Sequence, residues 1–420
     1  MLYASDYGII PYADVDNSAK FSKLFEDAIN QSKTVYIEKG WYNCKNSITI
    51  NFDTLCNGKY HLNIIGNGST LNFINCNGLI LQINNDWIDS KGNFLDYRYF
   101  GYFNITNLII LGTEGVGTGI QIGRTNREFD SYGAYNSFEH VTVQGFNVGM
   151  KLINARHITM DKVIIRDCTG NNSSCVILEA HSNDKTAFTG DLIMNGCEII
   201  GTKANNCFRC SGTRTVTMST IGGIHINHCY IYGNNNVSTP IIDGGNASIR
   251  FMDWLIDGCQ IDQHGNGALL ETYPEKEWYS LRLSINVDNC WFTNIGCIVK
   301  GNYINGLNIT NCNSLVTKGI LKGYFNDNII ISNNSFKEST KNSIEVGGSR
   351  NLLINNNIFT YNDKIYDHNI SFIKANAIQN LSICNNIFDT MANPVILDSI
   401  NNGNVSNNTF NNGIFINQYN

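Results

Sequence analysis

The sequence predicts an all-β fold, a single-stranded parallel β-helix with an N-terminal capping helix. Three observations carry that expectation. The first is a motif that recurs between Leu307 and Phe410, with a central residue at Asn311, Asn333, Asn356, Asn385 and Asn407, in steps of 22, 23, 29 and 22 residues. A near-constant period in that range marks a solenoid. The same frame extends back to Asn107, His140, Lys162, Gly196, His228, Gly258 and Asn289, and we call these twelve positions anchors. The second observation is local. Residues two before each anchor, from Ile105 to Val405, are all apolar; residues three after it, from Ile110 to Phe410, are apolar except Ser314. That is strand periodicity, period two, and not helical periodicity. The third is the column one residue after the anchor. It reads Leu108, Val141, Val163, then Cys197, Cys229, Cys259, Cys290, Cys312, then Asn334, Asn357, Asn386, Asn408. Stacked coils place equivalent residues ~4.8 Å apart, so like side chains pack and Asn amides hydrogen-bond along the axis. An antiparallel sandwich has no reason to keep a column thiol and then carboxamide.

The elements follow in chain order. Residues 1–60 form the expected N-terminal cap, and residues 61–420 the helix proper, with wide looped coils at about 162–289 and short regular ones at 289–420. In the cap, Asp16-Asn17-Ser18 supplies capping residues. Phe21, Leu24, Phe25, Ala28 and Ile29 then make one apolar stripe of a short helix. Such a helix covers the open end of a solenoid, which otherwise exposes backbone and core. Thr34 to Ile37 reads as a strand, Glu38-Lys39-Gly40 as its turn, and Trp41-Tyr42-Asn43 leads to the strand around Ile48 and Ile50.

Composition excludes several classes of function. The 420 residues include 15% charged residues and only 4 Pro, with no charge run or Ser/Pro-rich linker to divide them, so one elongated domain is expected. A net charge of -6 with no basic stripe argues against a nucleic-acid partner. Five of the 14 Cys fall in the inward column, which points to free buried thiols and a reducing site of synthesis. Cys207-Phe208-Arg209-Cys210 is a lone pair without further ligands, so neither a metal nor a cofactor is expected. Met1 to Asp6 shows neither a basic region nor an apolar run. No signal peptide and no membrane insertion are expected.

Asp6-Tyr7-Gly8, the helix with Phe25, Ala28 and Ile29, and the stretch Thr34 to Tyr42 resemble the N-terminal signature of the right-handed parallel β-helix pectate-lyase superfamily, in particular its tailed-bacteriophage tailspike branch. Gly66-Asn67-Gly68 after Leu62 to Ile65 resembles that family's first complete coil. The resemblance implies a right-handed helix, a homotrimer, a place in the virion with synthesis in the host cytoplasm, and a bacterial polysaccharide as partner. It does not choose an activity, because the fold hosts lyases, hydrolases and epimerases. The paired-aspartate and Gly-His-Gly pattern of polygalacturonases is not matched at Gln263-His264-Gly265.

Wide coils supply loops that can wall a groove, so chemistry is expected there. Hydrolysis of a glycoside needs two carboxyl groups, ~5–5.5 Å apart with retention and ~6.5–9.5 Å apart with inversion. The frame offers Asp191, Asp253, Asp257 and Asp288 as catalytic candidates. Asp257 and Asp288 stand one before successive anchors; Asp191 and Asp253 stand five before theirs. His225 and Arg250 are candidate substrate-binding residues, and Trp278 and Trp291 offer rings for sugar faces. Each carboxylate has a structural alternative, since an acidic residue at a turn commonly caps backbone amides. The expected function is an endo-glycoside hydrolase acting on capsule, O-antigen or exopolysaccharide. The alternatives are a non-catalytic glycan-binding or structural β-helix and, after it, a polysaccharide lyase or epimerase, whose uronate-rich polymers the negative charge would repel.

Overall fold

The computed structural model describes residues 1–51, 61–82, 101–123, 134–181, 188–212, 219–234, 238–245, 249–262, 265–273, 284–339, 343–361, 371–389, 394–411 and 416–419. They fall into two compact units, 1–224 and 225–420. Each is a stack of coils with parallel pairing from one coil to the next, so the chain is a parallel β-helix, as its columns predict. A representative coil runs through Ile158–Asp161, turns at Lys162, continues in Ile164–Arg166 and returns through Ser174–Ala180. The first two strands join one sheet and the third joins a second sheet.

Register follows the apolar columns. In the first unit Ile105 pairs with Phe138, Phe138 with Met160 and Met160 with Met194. In the second, Ile256, Val287, Ile309, Ile331, Ile354, Ile383 and Val405 pair in succession. Ile105 to Ile383 in this column are fully buried. A one-residue slip would turn every one of them to solvent, so burial enforces the register.

The anchors have a conformational cause that pattern reading did not supply. All twelve adopt positive φ, from 51° at His140 to 61° at Gly258. The chain bends there, and the anchor N–H donates to a carbonyl of the next coil, as in Lys162 to Asn195 at 2.9 Å and Asn385 to Ser406 at 3.2 Å. Left-handed backbone costs an ordinary L-residue ~1–2 kcal/mol and is tolerated by Gly and Asn, which is why Asn recurs at this position. Replacing Asn385 by Val is therefore expected to cost about 1–2 kcal/mol and by Gly close to nothing. Urea unfolding of the two variants checks this, and equal losses would remove the turn from the explanation.

The column after the anchor is inward in both of its chemistries. Cys259, Cys290 and Cys312 lie 3.3, 3.4 and 3.6 Å from the carbonyls of Ile226, Ile256 and Val287. In the next coils the Asn334 and Asn357 Nδ2 groups donate to the corresponding carbonyls of Ile309 and Ile331, both at 2.9 Å. The amides also link to each other: Asn334 to Asn357 at 2.9 Å, Asn357 to Asn386 and Asn386 to Asn408 at 3.0 Å. Beside them Phe336, Phe359, Phe388 and Phe410 form a ring stack, with Phe359 and Phe388 at 5.1 Å and 4°.

All thirteen cysteines among the described residues are free. Burial pushes the thiols of Cys44 and Cys297 up to about 12. Cys384 is the exception: its slight burial raises the pKa, but hydrogen bonds with Ser382 and Ser406 at 3.2 and 3.3 Å outweigh that and bring it below the ordinary thiol value. Because thiolate is the reactive form, a maleimide at pH 8 is expected to label half-buried Cys384 well ahead of Cys229, Cys259, Cys290 and Cys312. Peptide mapping of early time points decides it; equal labelling of the column would mean that the core is open.

The helix α1, Ser18–Gln31, packs Phe21, Leu24, Phe25, Ala28 and Ile29 against the first coils. The first helical N–H is capped by Asp16, because the side chain of the N-cap residue Asn17 makes no capping bond. Asp16 Oδ1 accepts the backbone N–H groups of Ser18 and Lys45, both at 2.9 Å, while Asn17 Oδ1 accepts that of Ile10 at 3.1 Å.

Candidate active site

In the second unit, Asp257 ends the strand Ile249–Asp257 and pairs in register with Asp288, which ends Ile285–Asp288. Both side chains are half-buried. They share one face because both immediately precede an anchor turn, and strand spacing sets them ~4.8 Å apart along the axis. Asp288 is oriented by two donors on a single oxygen: Oδ1 accepts from Thr310 Oγ1 at 2.6 Å and from Asn311 Nδ2 at 2.8 Å. The carbonyl of Asp257 accepts the His228 N–H at 2.8 Å, and the His228 ring lies over Gly258, where a Cβ would come within 2.9 Å of it. Three residues after Asp288, Trp291 is 44% exposed and donates its indole N–H to Thr293 Oγ1 at 2.9 Å. It thus presents a ring face on the same coil as Asp288.

The other expected residues occupy different surroundings. Asp253 is exposed with φ 54°. His225 points outward between buried Ile224 and Ile226 and is half-buried. Arg250 is half-buried, and its Nε–H donates to no partner among the described residues. Trp278 lies outside the described residues.

Asp191 belongs to the first unit, where φ is 48°. Its Oδ2 is 3.7 Å from His157 Nδ1. His157 ends an outward stack of rings: His61 on Tyr102 at 5.0 Å, Tyr102 on Tyr135 at 5.5 Å, and Tyr135 on His157 at 5.0 Å. All of these except His61 stand five before an anchor, the position Asp191 and Asp253 share. Gly223 stands there too, with φ 64°. Backbone conformation alone therefore accounts for short polar residues or Gly at 191, 223 and 253.

The first unit also holds a cluster that spacing did not single out. Glu179 Oε1 is 3.0 Å from Lys151 Nζ, and its Oε2 is 3.3 Å from His181 Nε2. The Asn154 side chain fixes the His181 backbone through two bonds of 2.8 Å. Burial pushes the Glu179 carboxyl up, but His181 and Lys151 outweigh it and leave the pKa below the ordinary value. Glu179 is thus a charged, tied carboxylate. The only sequence signal for the cluster is Glu-Ala-His at 179–181, since Lys151 comes from the preceding coil through the second sheet, which the anchor frame does not track.

Among the described residues no group of three or more His, Cys, Asp or Glu is placed to hold a metal ion, and no helix is long and apolar enough to cross a membrane.

No protein-family model matches the sequence, and comparison with curated proteins gives no match. Solved structures do match. ORF18 of Geobacillus virus E2 is 12% identical with a TM-score of 0.49, over 83% of this chain and 59% of its own. The chain thus spans about three fifths of that protein's length. The tailspike protein gp49 of Pseudomonas phage LKA1 is 11% identical with a TM-score of 0.43, over 98% of this chain and 81% of its own. The catalytic unit of a GH87 α-1,3-glucanase from Streptomyces thermodiastaticus is 10% identical with a TM-score of 0.42, over 98% and 68%. Registers, buried columns and left-handed anchors together make this chain a single-stranded parallel β-helix capped by an N-terminal helix.

Proposed function

We propose that this protein is a tailspike-like endo-glycoside hydrolase that binds and cleaves a bacterial surface polysaccharide. The observation that carries this reading is the in-register pair Asp257 and Asp288. Their ~4.8 Å strand spacing is close to the ~5–5.5 Å of a retaining carboxyl pair. Asp288, with Oδ1 occupied by Thr310 and Asn311, has Oδ2 left to attack the anomeric carbon. Asp257 then protonates the leaving oxygen and afterwards deprotonates the water that releases the sugar. Trp291 offers a face on which a neighbouring sugar stacks. Two readings of the same chain remain its competitors. In the first, Asp288 merely caps its turn through Thr310 and Asn311, and the protein holds glycan without cutting it. In the second, the Lys151–Glu179–His181 cluster serves proton abstraction in a lyase or epimerase.

Incubation with purified capsular and O-antigen polysaccharides, followed by mass spectrometry, separates the three. Saturated repeat-unit fragments support the hydrolase, unsaturated ends the lyase, and binding without fragments the binding module. Exposed Ile358 and Ile387 on weakly charged late coils support lateral packing into the homotrimer of a virion tailspike; a monomer by light scattering at micromolar concentration would refute the trimer.

A further inference from the structure

A groove of about 560 Å³ runs across the late coils of the second unit, far along the sequence from the carboxylate pair, and its twelve lining residues carry no charge. One wall is an outward ladder of amides, distinct from the buried one. Asn328 Nδ2 donates to Asn305 Oδ1 at 2.7 Å, Asn351 to Asn328 and Asn380 to Asn351 at 2.8 Å, and Asn402 to Asn380 at 3.1 Å. The four wall residues Asn328, Asn351, Asn380 and Asn402 are exposed. A carboxamide has two N–H donors and two acceptor lone pairs. Each ladder bond uses one of each, so Asn328, Asn351 and Asn380 keep one donor and one acceptor beyond the ladder, and the end rung Asn402 keeps one donor and both acceptors. The floor is Ile330, Leu353, Ser382 and Asn404, an apolar strip that becomes polar along the axis.

We infer that this groove binds an extended, uncharged polysaccharide, one sugar per coil, without chemistry. Sugar hydroxyls both donate and accept, which matches a row of groups each offering a donor and an acceptor. The rungs repeat every ~4.8 Å, close to the advance of one pyranose in an extended chain. The apolar part of the floor, Ile330 and Leu353, suits the C–H faces of sugars, and Ser382 and Asn404 offer hydrogen bonds to their hydroxyls. No lining residue is cationic, so nothing rewards a uronate or sulfated chain for the desolvation of its anion. No carboxylate lines the groove either, so it holds polymer rather than cutting it. The groove begins two coils beyond Asp288 in the same sheet and shares no lining residue with Asp257 and Asp288, so loss of the hydrolase reading would leave it in place.

The test is titration calorimetry of the full chain carrying Asp257→Asn and Asp288→Asn, so that cleavage cannot consume the probe. Neutral gluco- and manno-oligosaccharides of increasing length are compared with oligogalacturonates. Affinity for a neutral series is expected to rise with length up to the four rungs from Asn328 to Asn402, with the oligogalacturonates binding worse. The double exchange Asn351→Ala and Asn380→Ala is expected to weaken binding about tenfold or more. Ser382→Tyr, which fills the floor and leaves the ladder intact, should do the same if the ladder variant fails to fold. Three results overturn the inference: no neutral series binds, both variants bind like the parent, or Ser382→Tyr splits an oligomer in sedimentation, which makes the groove a contact between copies of this chain.

Discussion

Exchange of Asp257 or Asp288 for Asn is expected to lower polysaccharide cleavage ~10²–10⁴-fold, the usual cost of losing a catalytic acid, base or nucleophile. Asn keeps the shape and removes the proton or the negative charge that the step requires. The losses should not add in the double variant, because the two groups act in one reaction. Thr310→Val is the informative companion. It removes the 2.6 Å donor to Asp288 Oδ1 while leaving the carboxylate itself, and is expected to cost less than Asp288→Asn. If cleavage occurs and neither aspartate variant loses as much as tenfold, the pair is structural. A comparable loss with Asp191→Asn or Asp253→Asn instead would move the site to the positions five before the anchors. Fragment release measured by mass spectrometry on a defined substrate supplies the rates.

The largest stability effect is expected in the buried ladder. Asn357 is completely buried, and its side chain takes part in four hydrogen bonds beyond its own backbone. Asn357→Leu preserves the volume and strands the carbonyl of Ile331, the two donors of Asn334 and one lone pair of Asn386. At ~1–3 kcal/mol for a buried group left unsatisfied, the sum is several kcal/mol. Phe359→Ala, in the middle of the ring stack, is expected to cost ~3–5 kcal/mol through lost burial and the cavity that follows. Asn357→Cys should be milder by the one bond it restores, to the Ile331 carbonyl, because Cys312 makes the equivalent bond to Val287 of the preceding coil. Urea unfolding at equilibrium checks all three, and unfolding rates replace it where refolding fails. If Asn357→Leu is no worse than Asn357→Cys, the amide ladder contributes packing and not hydrogen bonding.

How far these effects were legible before any coordinates differs from residue to residue. The inward columns from Ile105 to Ile383, the thiol-to-amide change after Cys312, and the stripe of α1 could all be read from the chain. Each is imposed by a repeat: coils must hydrogen-bond at one fixed spacing, and side chains alternate in and out with period two. The pairing of Asp257 with Asp288 was legible for the same reason, because both are counted from an anchor. The anchors' left-handed backbone was only implicit in the recurrence of Asn and Gly. What the frame does not reach had to come from the tertiary structure. Lys151, Glu179 and His181 meet through the second sheet, whose strands follow loops of unequal length and so keep no constant offset from the anchors. The rings of Tyr102, Tyr135 and His157 are outward, where no burial constrains their identity, and only their stacking shows that they form one surface. The outward amide ladder from Asn305 to Asn402 sits in a sequence already crowded with Asn. Spacing marks these residues as a column, but only the tertiary structure shows that their amides link rung to rung and that four of them line a groove.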